Sequence, residues 1–324
     1  MAIRRADILS RFARGSETAL LRRTLWAIAL AALPATAPGQ VLSFPARGDL
    51  VVFSATAVDG KGRPVTDLRS KDFRVYEEGR SQAISRFYGG LELPARVLLL
   101  VDGSGSMNEE LKVTSVRFAA ERILDVLSDE DQVALAGFDS RYWGVVAFTH
   151  DREAVRRGLA TVEPFGSTAL HDALDKAARD IASHGEGRRA VVVITDGVDT
   201  ASEKTPEEVL QHSRALDVPI YAISAVSALD DPDSPLYVGR KNRGAAATGG
   251  EMLERYASLS GGAAFRVSNY AGLRKAAERI AAELKHQYRL GYDPPAGPAR
   301  FRRVEVRTTR KGVTVRTRSG YVPF

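Results

Sequence analysis

Val97-Leu98-Leu99-Leu100-Val101-Asp102-Gly103-Ser104-Gly105-Ser106-Met107 is the stretch that decides the fold. Its first five residues are apolar without alternation, the pattern of a strand covered by helices on both faces. The run stops at an aspartate and a loop of small, hydroxyl-bearing residues. Beyond the loop, Val116, Ala120, Ile123, Leu124 and Leu127 fall on one helical stripe, so a helix follows. Strand, polar loop and helix open a doubly wound sheet, in which ligands bind beyond the carboxyl ends of the strands.

The alternation continues outward. Strands are expected at 133–138, 145–148, 191–195 and 220–224, and helices near 152–162, 169–184, 206–216 and 270–286. This predicts an α/β fold, Rossmann-like, with a mostly parallel doubly wound sheet over residues 94–287. The flanks lack helical periodicity. Residues 50–58 are rich in strand formers, Asp59-Gly60-Lys61-Gly62-Arg63-Pro64 is a turn cluster, and Phe73-Arg74-Val75-Tyr76-Glu77 alternates. In the C-terminal flank, Arg303-Val304-Glu305-Val306-Arg307 and Val313-Thr314-Val315-Arg316 put their valines on one face. Arg310-Lys311-Gly312 between them reads as a hairpin turn, and the arginines as a solvated strand face. Neither flank is large enough to stand alone. Segments 40–93 and 288–324 are therefore expected to form one small β-sandwich, with the α/β unit inserted between them. Residues 228–250, rich in Asp, Pro, Gly and small residues, read as a long exposed loop.

Three oxygen-bearing loops should meet on one edge of the sheet. Asp102, Ser104 and Ser106 follow the first strand, Asp196 follows the strand ending at Thr195, and Thr168 stands where the helix near 169–184 begins. Two carboxylates and three hydroxyls suit a hard cation, and Mg²⁺ takes oxygen ligands while keeping several waters. With at most two negative charges in the shell, the ion would remain electrophilic toward an outside carboxylate. Mg²⁺ is the expected ion, with Mn²⁺ and Ca²⁺ as alternatives.

Asp-x-Ser-x-Ser, then a distant Thr, then a distant Asp, resembles the metal-ion-dependent adhesion site of von Willebrand factor A domains. Asp102, Ser104, Ser106, Thr168 and Asp196 fill all its places, and the resemblance covers about residues 95–287. The wider layout is similar to a bacterial branch described as acidobacterial von Willebrand factor A-related. There, an export signal and a segment resembling Asp72-Phe73-Arg74-Val75-Tyr76-Glu77 precede the domain. A tail resembling Tyr288-Arg289-Leu290-Gly291-Tyr292 and Ser319-Gly320-Tyr321 follows it. The resemblance implies metal-dependent binding of a protein partner that offers an Asp or Glu, and no catalysis. In some relatives a shift of the last helix couples metal engagement to distant change; here that helix runs straight into Tyr288.

Glu109 and Glu110 stand where some relatives place ligands for a second cation. Acidic residues in the first turn of a helix account for them without metal. Asp139 reads as a turn residue beside Ser140, and His171 as a surface helix position.

Composition narrows the remaining choices. The chain has 324 residues and no cysteine, which excludes disulfides and Cys-ligated zinc. Its net charge of +6 is concentrated at the start: residues 1–39 hold six Arg against Asp7 and Glu17, leaving 40 basic and 38 acidic residues beyond. A near-neutral remainder gives no nucleic-acid footprint. Arg22-Arg23, the short apolar run 25–33 and the small residues Ala35, Ala37 and Gly39 read as a signal peptide over 1–39. The expected product is exported, periplasmic or extracellular, with no membrane span after cleavage. The rival readings are a Mg²⁺-dependent phosphoryl-transfer hydrolase with Asp102 as nucleophile, and an envelope scaffold that makes no use of the ion site. The hydrolase lacks a lysine at an obvious matching place.

Overall fold

The computed structural model describes residues 50–323, apart from 91, 109, 185–186 and 227–244. The signal segment 1–39, Glu109 and most of the 228–250 loop therefore lie outside the described residues.

The elements run in order as β1 (Val51–Asp59), β2 (Phe73–Glu77), β3 (Arg80–Gln82), β4 (Ile84–Tyr88), β5 (Ala95–Asp102), α1 (Glu110–Val126), β6 (Gln132–Phe138) and β7 (Tyr142–Thr149). They continue with α2 (Arg152–Leu159), α3 (Leu170–Ala182), β8 (Arg188–Thr195), α4 (Pro206–Leu216), β9 (Ile220–Ala225), α5 (Ala245–Ser260), β10 (Ala264–Val267) and α6 (Tyr270–Lys285). The last four are β11 (Tyr288–Tyr292), β12 (Arg302–Thr308), β13 (Val313–Thr317) and β14 (Gly320–Tyr321).

The central sheet has the order β10-β9-β8-β5-β6-β7, with every pairing parallel except β6 with β7. The unbroken apolar run of β5 has the cause read from the sequence. Val97, Leu99 and Val101 join a core with α1, α2 and α6, while Leu98 and Leu100 face α3, α4 and α5. Each such side chain contributes about 1.5–3 kcal/mol on burial. Helix starts follow local chemistry. Thr205 and Glu208 form a reciprocal capping box ahead of Pro206, and α4 stops at Asp217, whose φ of 52° is left-handed.

Strand order reverses at β5: the chain passes to β6 on one side and later to β8 on the other. The carboxyl ends of β5 and β8 therefore diverge from a topological switch point, the crevice where doubly wound folds bind ligands.

The flanks form two further antiparallel sheets, β13-β1-β11-β4 and β14-β12-β2-β3. Each mixes strands from both ends of the chain: β1 pairs with β11 and β13, and β2 with β12. Phe53, Phe73, Val75, Tyr288, Leu290, Tyr292, Val304 and Val306 fill the space between them. Glu77 is buried there and satisfied by Tyr292 (2.5 Å), Tyr321 (2.8 Å) and Arg302 (2.9 Å).

Two expectations are corrected. β12 and β13 are not a hairpin pair, since β12 pairs with β2 and β14 while β13 pairs with β1. The Arg310–Gly312 turn carries the chain from one sheet to the other, so that both strands bury their valines in the same core. Part of the expected 228–250 loop is helical, because α5 begins at Ala245. Its Ala-Ala-Ala-Thr-Gly-Gly start looks loop-like through its glycines, yet alanine is the best helix former. The strand β10 was likewise not foreseen.

The α/β layer and the sheets from the flanks are joined by buried polar contacts. Asp217 accepts from the Ser54 amide (3.1 Å) and from Arg289 (2.6 Å). Arg316 of β13 pairs with buried Glu283 of α6. Within the α/β layer, Arg188 donates to the carbonyls of Leu284 (2.6 Å) and Lys285 (2.7 Å) at the end of α6.

Candidate metal-ion site

Asp102 closes β5 and Thr195 closes β8, and the two strands run in parallel register with Val101 opposite Ile194. The loops that follow thus leave the sheet side by side. Asp102 is 2% exposed. One carboxylate oxygen accepts the Ser104 amide at 2.8 Å and the other accepts the Thr195 hydroxyl at 2.5 Å. The Thr195 oxygen in turn accepts the Gly197 amide at 3.0 Å. Burial pushes the Asp102 carboxyl up to about 6, with the nearby charge of Asp196 adding to it and the Ser104 and Thr195 hydrogen bonds opposing it.

Ser104 is buried, and its hydroxyl lies 3.1 Å from that of exposed Ser106. Asp196 is buried beside them. One of its oxygens accepts the Val198 amide at 3.3 Å, and the other lies 3.1 Å from the Lys112 ammonium. The same ammonium donates to the Ser106 carbonyl at 2.9 Å. Lys112, from the first turn of α1, thereby bridges the first loop to the loop after β8.

Thr168 belongs to a third loop laced to both others. Gly105 donates to the Gly166 carbonyl at 3.0 Å, and Phe165 donates to the Gly103 carbonyl at 2.7 Å. Toward the other side, the Thr168 carbonyl accepts the amides of Thr200 (2.8 Å) and Ala201 (3.0 Å). Ala169 occupies the N-cap of α3 and makes no side-chain cap, so Thr168 is not that helix's cap. Of the expected donors, Asp102, Ser104, Ser106 and Asp196 are linked through side chains and Lys112. Thr168, itself buried, joins through backbone bonds.

The other residues singled out have ordinary roles. Asp139 accepts from Ser140 (3.1 Å) and the Arg141 amide (2.8 Å), as a turn residue does. His171 is half-buried rather than superficial, 2.9 Å from the hydroxyl of Tyr256, and burial lowers its pKa. Glu110 begins α1.

Three contributors were not assigned from sequence. Thr195 holds the inner oxygen of Asp102; it was legible only as the last residue of a strand. Lys112 looks in the sequence like any solvated lysine on a helix. Gly249 is the third: a Cβ there would stand 2.0 Å from the Gly197 carbonyl oxygen. The backbone of α5 thus rests directly on the turn after Asp196, where Gly197 itself has a φ of 84°.

Residues 97–198 match the family model for the von Willebrand factor type A domain. The chain carries a von Willebrand factor type A domain. Solved structures similar to it include BatB, a conserved hypothetical protein from Bacteroides thetaiotaomicron, at 20% identity over 59% of this chain and 98% of that one, TM-score 0.48. A von Willebrand factor type A protein from Catenulispora acidiphila is 13% identical over 85% of this chain and 74% of that one, TM-score 0.49. The PilB minor pilin from Streptococcus sanguinis is 14% identical over 60% and 61%, TM-score 0.45. No curated protein matches the chain. The A domain's β5 loop, Thr168 loop and Asp196 loop all lie within the matched span. Among the described residues no helix is long and apolar enough to cross a membrane.

Proposed function

We propose that this A domain is an exported protein-binding module that grips a partner's Asp or Glu through a divalent cation. Asp102, Ser104, Ser106, Thr168 and Asp196 would hold the ion, Mg²⁺ in the first instance, with Mn²⁺ or Ca²⁺ as substitutes. Bound there, the ion supplies an electrophilic centre for an acidic side chain. The observation that carries the reading is the pair of hydroxyls, 3.1 Å apart, beside two buried carboxylates at a switch point. Such carboxylates need a cationic partner to stay charged, and the protein already draws one cation, the Lys112 ammonium, to Asp196. Hydroxyls and carboxylates without nitrogen or sulfur are the donor set of a hard ion. Membership of the A-domain family supports a protein-interaction role.

The protein's own groups have separable tasks. Thr195 and the Ser104 amide fix the orientation of Asp102. The small residues at 103 and 105 let the loops approach backbone to backbone. Exposed Ser106 faces the incoming partner. A cleft of about 410 Å³ beside Asp196, lined by His171, Val198, Asp199 and Met252, gives a neighbouring surface for specificity.

The hydrolase reading gains a lysine near the site that the sequence did not reveal. Yet both oxygens of Asp102 are engaged at 2.5–2.8 Å and the residue is 2% exposed, a poor disposition for a nucleophile. The export of the chain rests on the 1–39 segment alone.

The test is a pull-down from the source cell's envelope fraction in Mg²⁺ and again in chelator. Capture should require Mg²⁺ and vanish in Ser106→Ala with the fold intact. Undiminished capture in excess chelator would refute the metal grip. Phosphatase turnover that tracks Asp102 would favour the hydrolase instead.

A further inference from the structure

On the opposite side of the molecule from chemistry already described, a cavity of about 450 Å³ lies where α4 and β8 meet the first and last strands of the chain. Four arginines line it: Arg189, Arg289, Arg302 and Arg318. Asp217 is the only carboxylate among its lining residues.

The charges around it do not balance. Arg289 and Arg318 share Asp217, at 2.6 and 3.6 Å. Arg302 pairs with Glu77 at 2.9 Å. Arg189 bonds only backbone carbonyls, of Ala182 (3.1 Å) and Leu216 (3.4 Å), and its Nε is buried with no hydrogen-bond partner among the described residues. Four guanidinium groups thus face two carboxylates. Burial lowers the pKa of the Arg189 guanidinium; Asp217 opposes this, and Arg289 and Arg318 reinforce it. Burying charge without a counter-charge is expensive, and guanidinium forks match carboxylates and other planar oxyanions.

The remaining wall is apolar, with Val51, Leu216, Pro294 and Val322 on it. The volume falls within the range of small-molecule sites, about 300–1,000 Å³, and is far more than the roughly 30 Å³ share of a water-sized occupant. A bare inorganic ion would leave most of it unfilled.

We propose that this cavity is a binding site for a small organic anion, a carboxylate carried on an apolar body, with Arg189 as the residue that receives its charge. Arg289 and Arg318 add long-range attraction while remaining tied to Asp217. The apolar wall takes the hydrocarbon part. The site is independent of the metal-ion reading.

Octanoate and octan-1-ol are the probes, compared on the whole protein by calorimetry and thermal shift. Octanoate should bind one per chain and raise Tm, with octanol at least about tenfold weaker, the loss expected for one charge-assisted contact. Arg189→Gln should weaken octanoate by a similar factor while leaving octanol unchanged, and Arg189→Lys should fall between. Equal binding of octanol and octanoate by the wild-type protein would reduce the site to an apolar cleft and overturn the proposal; that comparison needs no variant to fold. Failure of octanoate to bind at millimolar concentration, or full affinity in Arg189→Gln, would overturn it equally.

Discussion

Replacing Lys112 with methionine should tighten the binding of Mg²⁺. The ammonium lies 3.1 Å from Asp196, with the two side chains only 12% and 8% exposed. At an effective dielectric of about 20–40, Coulomb's law gives that contact about 3–5 kcal/mol of gross attraction. Desolvation and the restricted lysine chain offset most of this, leaving a net value of about 1–2 kcal/mol. An ion entering the same oxygens must either displace the ammonium, losing that net value, or tolerate it nearby at greater repulsion. The cheaper path sets the penalty. Lys112→Met removes it, so Mg²⁺ should bind about 5- to 30-fold more tightly. Methionine keeps the length and packing of the lysine stem. Calorimetric titration of both proteins with Mg²⁺ at one ionic strength measures the difference. Affinity unchanged or lowered in the variant would refute the competition argument. Absence of binding in both proteins would instead remove the metal reading beneath it.

Three further outcomes are expected. In chelator, Asp102→Asn should stabilise the fold near neutral pH. The folded carboxyl titrates at about 6 against an ordinary 3.8, so the fold is penalised above about pH 6 and relieved as pH falls toward 4, by at most about 3 kcal/mol. Melting curves should therefore show the variant's advantage shrinking on acidification, and a constant gap contradicts the assignment. Asp217→Ala strands Arg289 and Arg318 in the interior and should cost about 3–5 kcal/mol in urea unfolding; a loss below about 1 kcal/mol would count against that network's role. Gly249→Ala forces α5 off the Gly197 turn and should cost about 1–3 kcal/mol as well as weaken Mg²⁺ binding. Gly250→Ala meets only the tip of the Arg266 side chain and serves as its control; equal effects from both would show that the close approach is unimportant.

The parallel sheet was legible because β5, β8 and β9 are buried on both sides and so cannot alternate. The donor residues stood out because they sit where apolar strands break. Their assembly was less legible, since hydrogen bonds such as Thr195 to Asp102 span 93 positions and leave no local trace. Lys112 is the clearest case: its environment is made by a loop from another strand. The sheet crossing between β12 and β13 was hidden for a related reason. A turn such as Arg310-Lys311-Gly312 has the same composition whether it folds a strand back on its neighbour or hands it to a facing sheet. The helix α5 was obscured by Gly249 and Gly250, of which Gly249 is present for close approach to the Gly197 backbone rather than for flexibility.

The junction of α6 with β11 has a mechanical consequence. The helix ends at Lys285 and the strand begins at Tyr288, while Arg188 holds the last helical carbonyls. β11 is zipped to β1 on one side and β4 on the other, and the Tyr288 hydroxyl is fastened to the Val65 carbonyl at 2.8 Å. Sliding the helix by one turn means about 5.4 Å, whereas a strand can re-zip with its faces preserved only in steps of two residues, about 6.8 Å. The two pitches do not mesh. Any pull delivered along α6 would therefore act on the joint as on a tow bar and not as on a piston, loading β11 in place of ratcheting it to a new register.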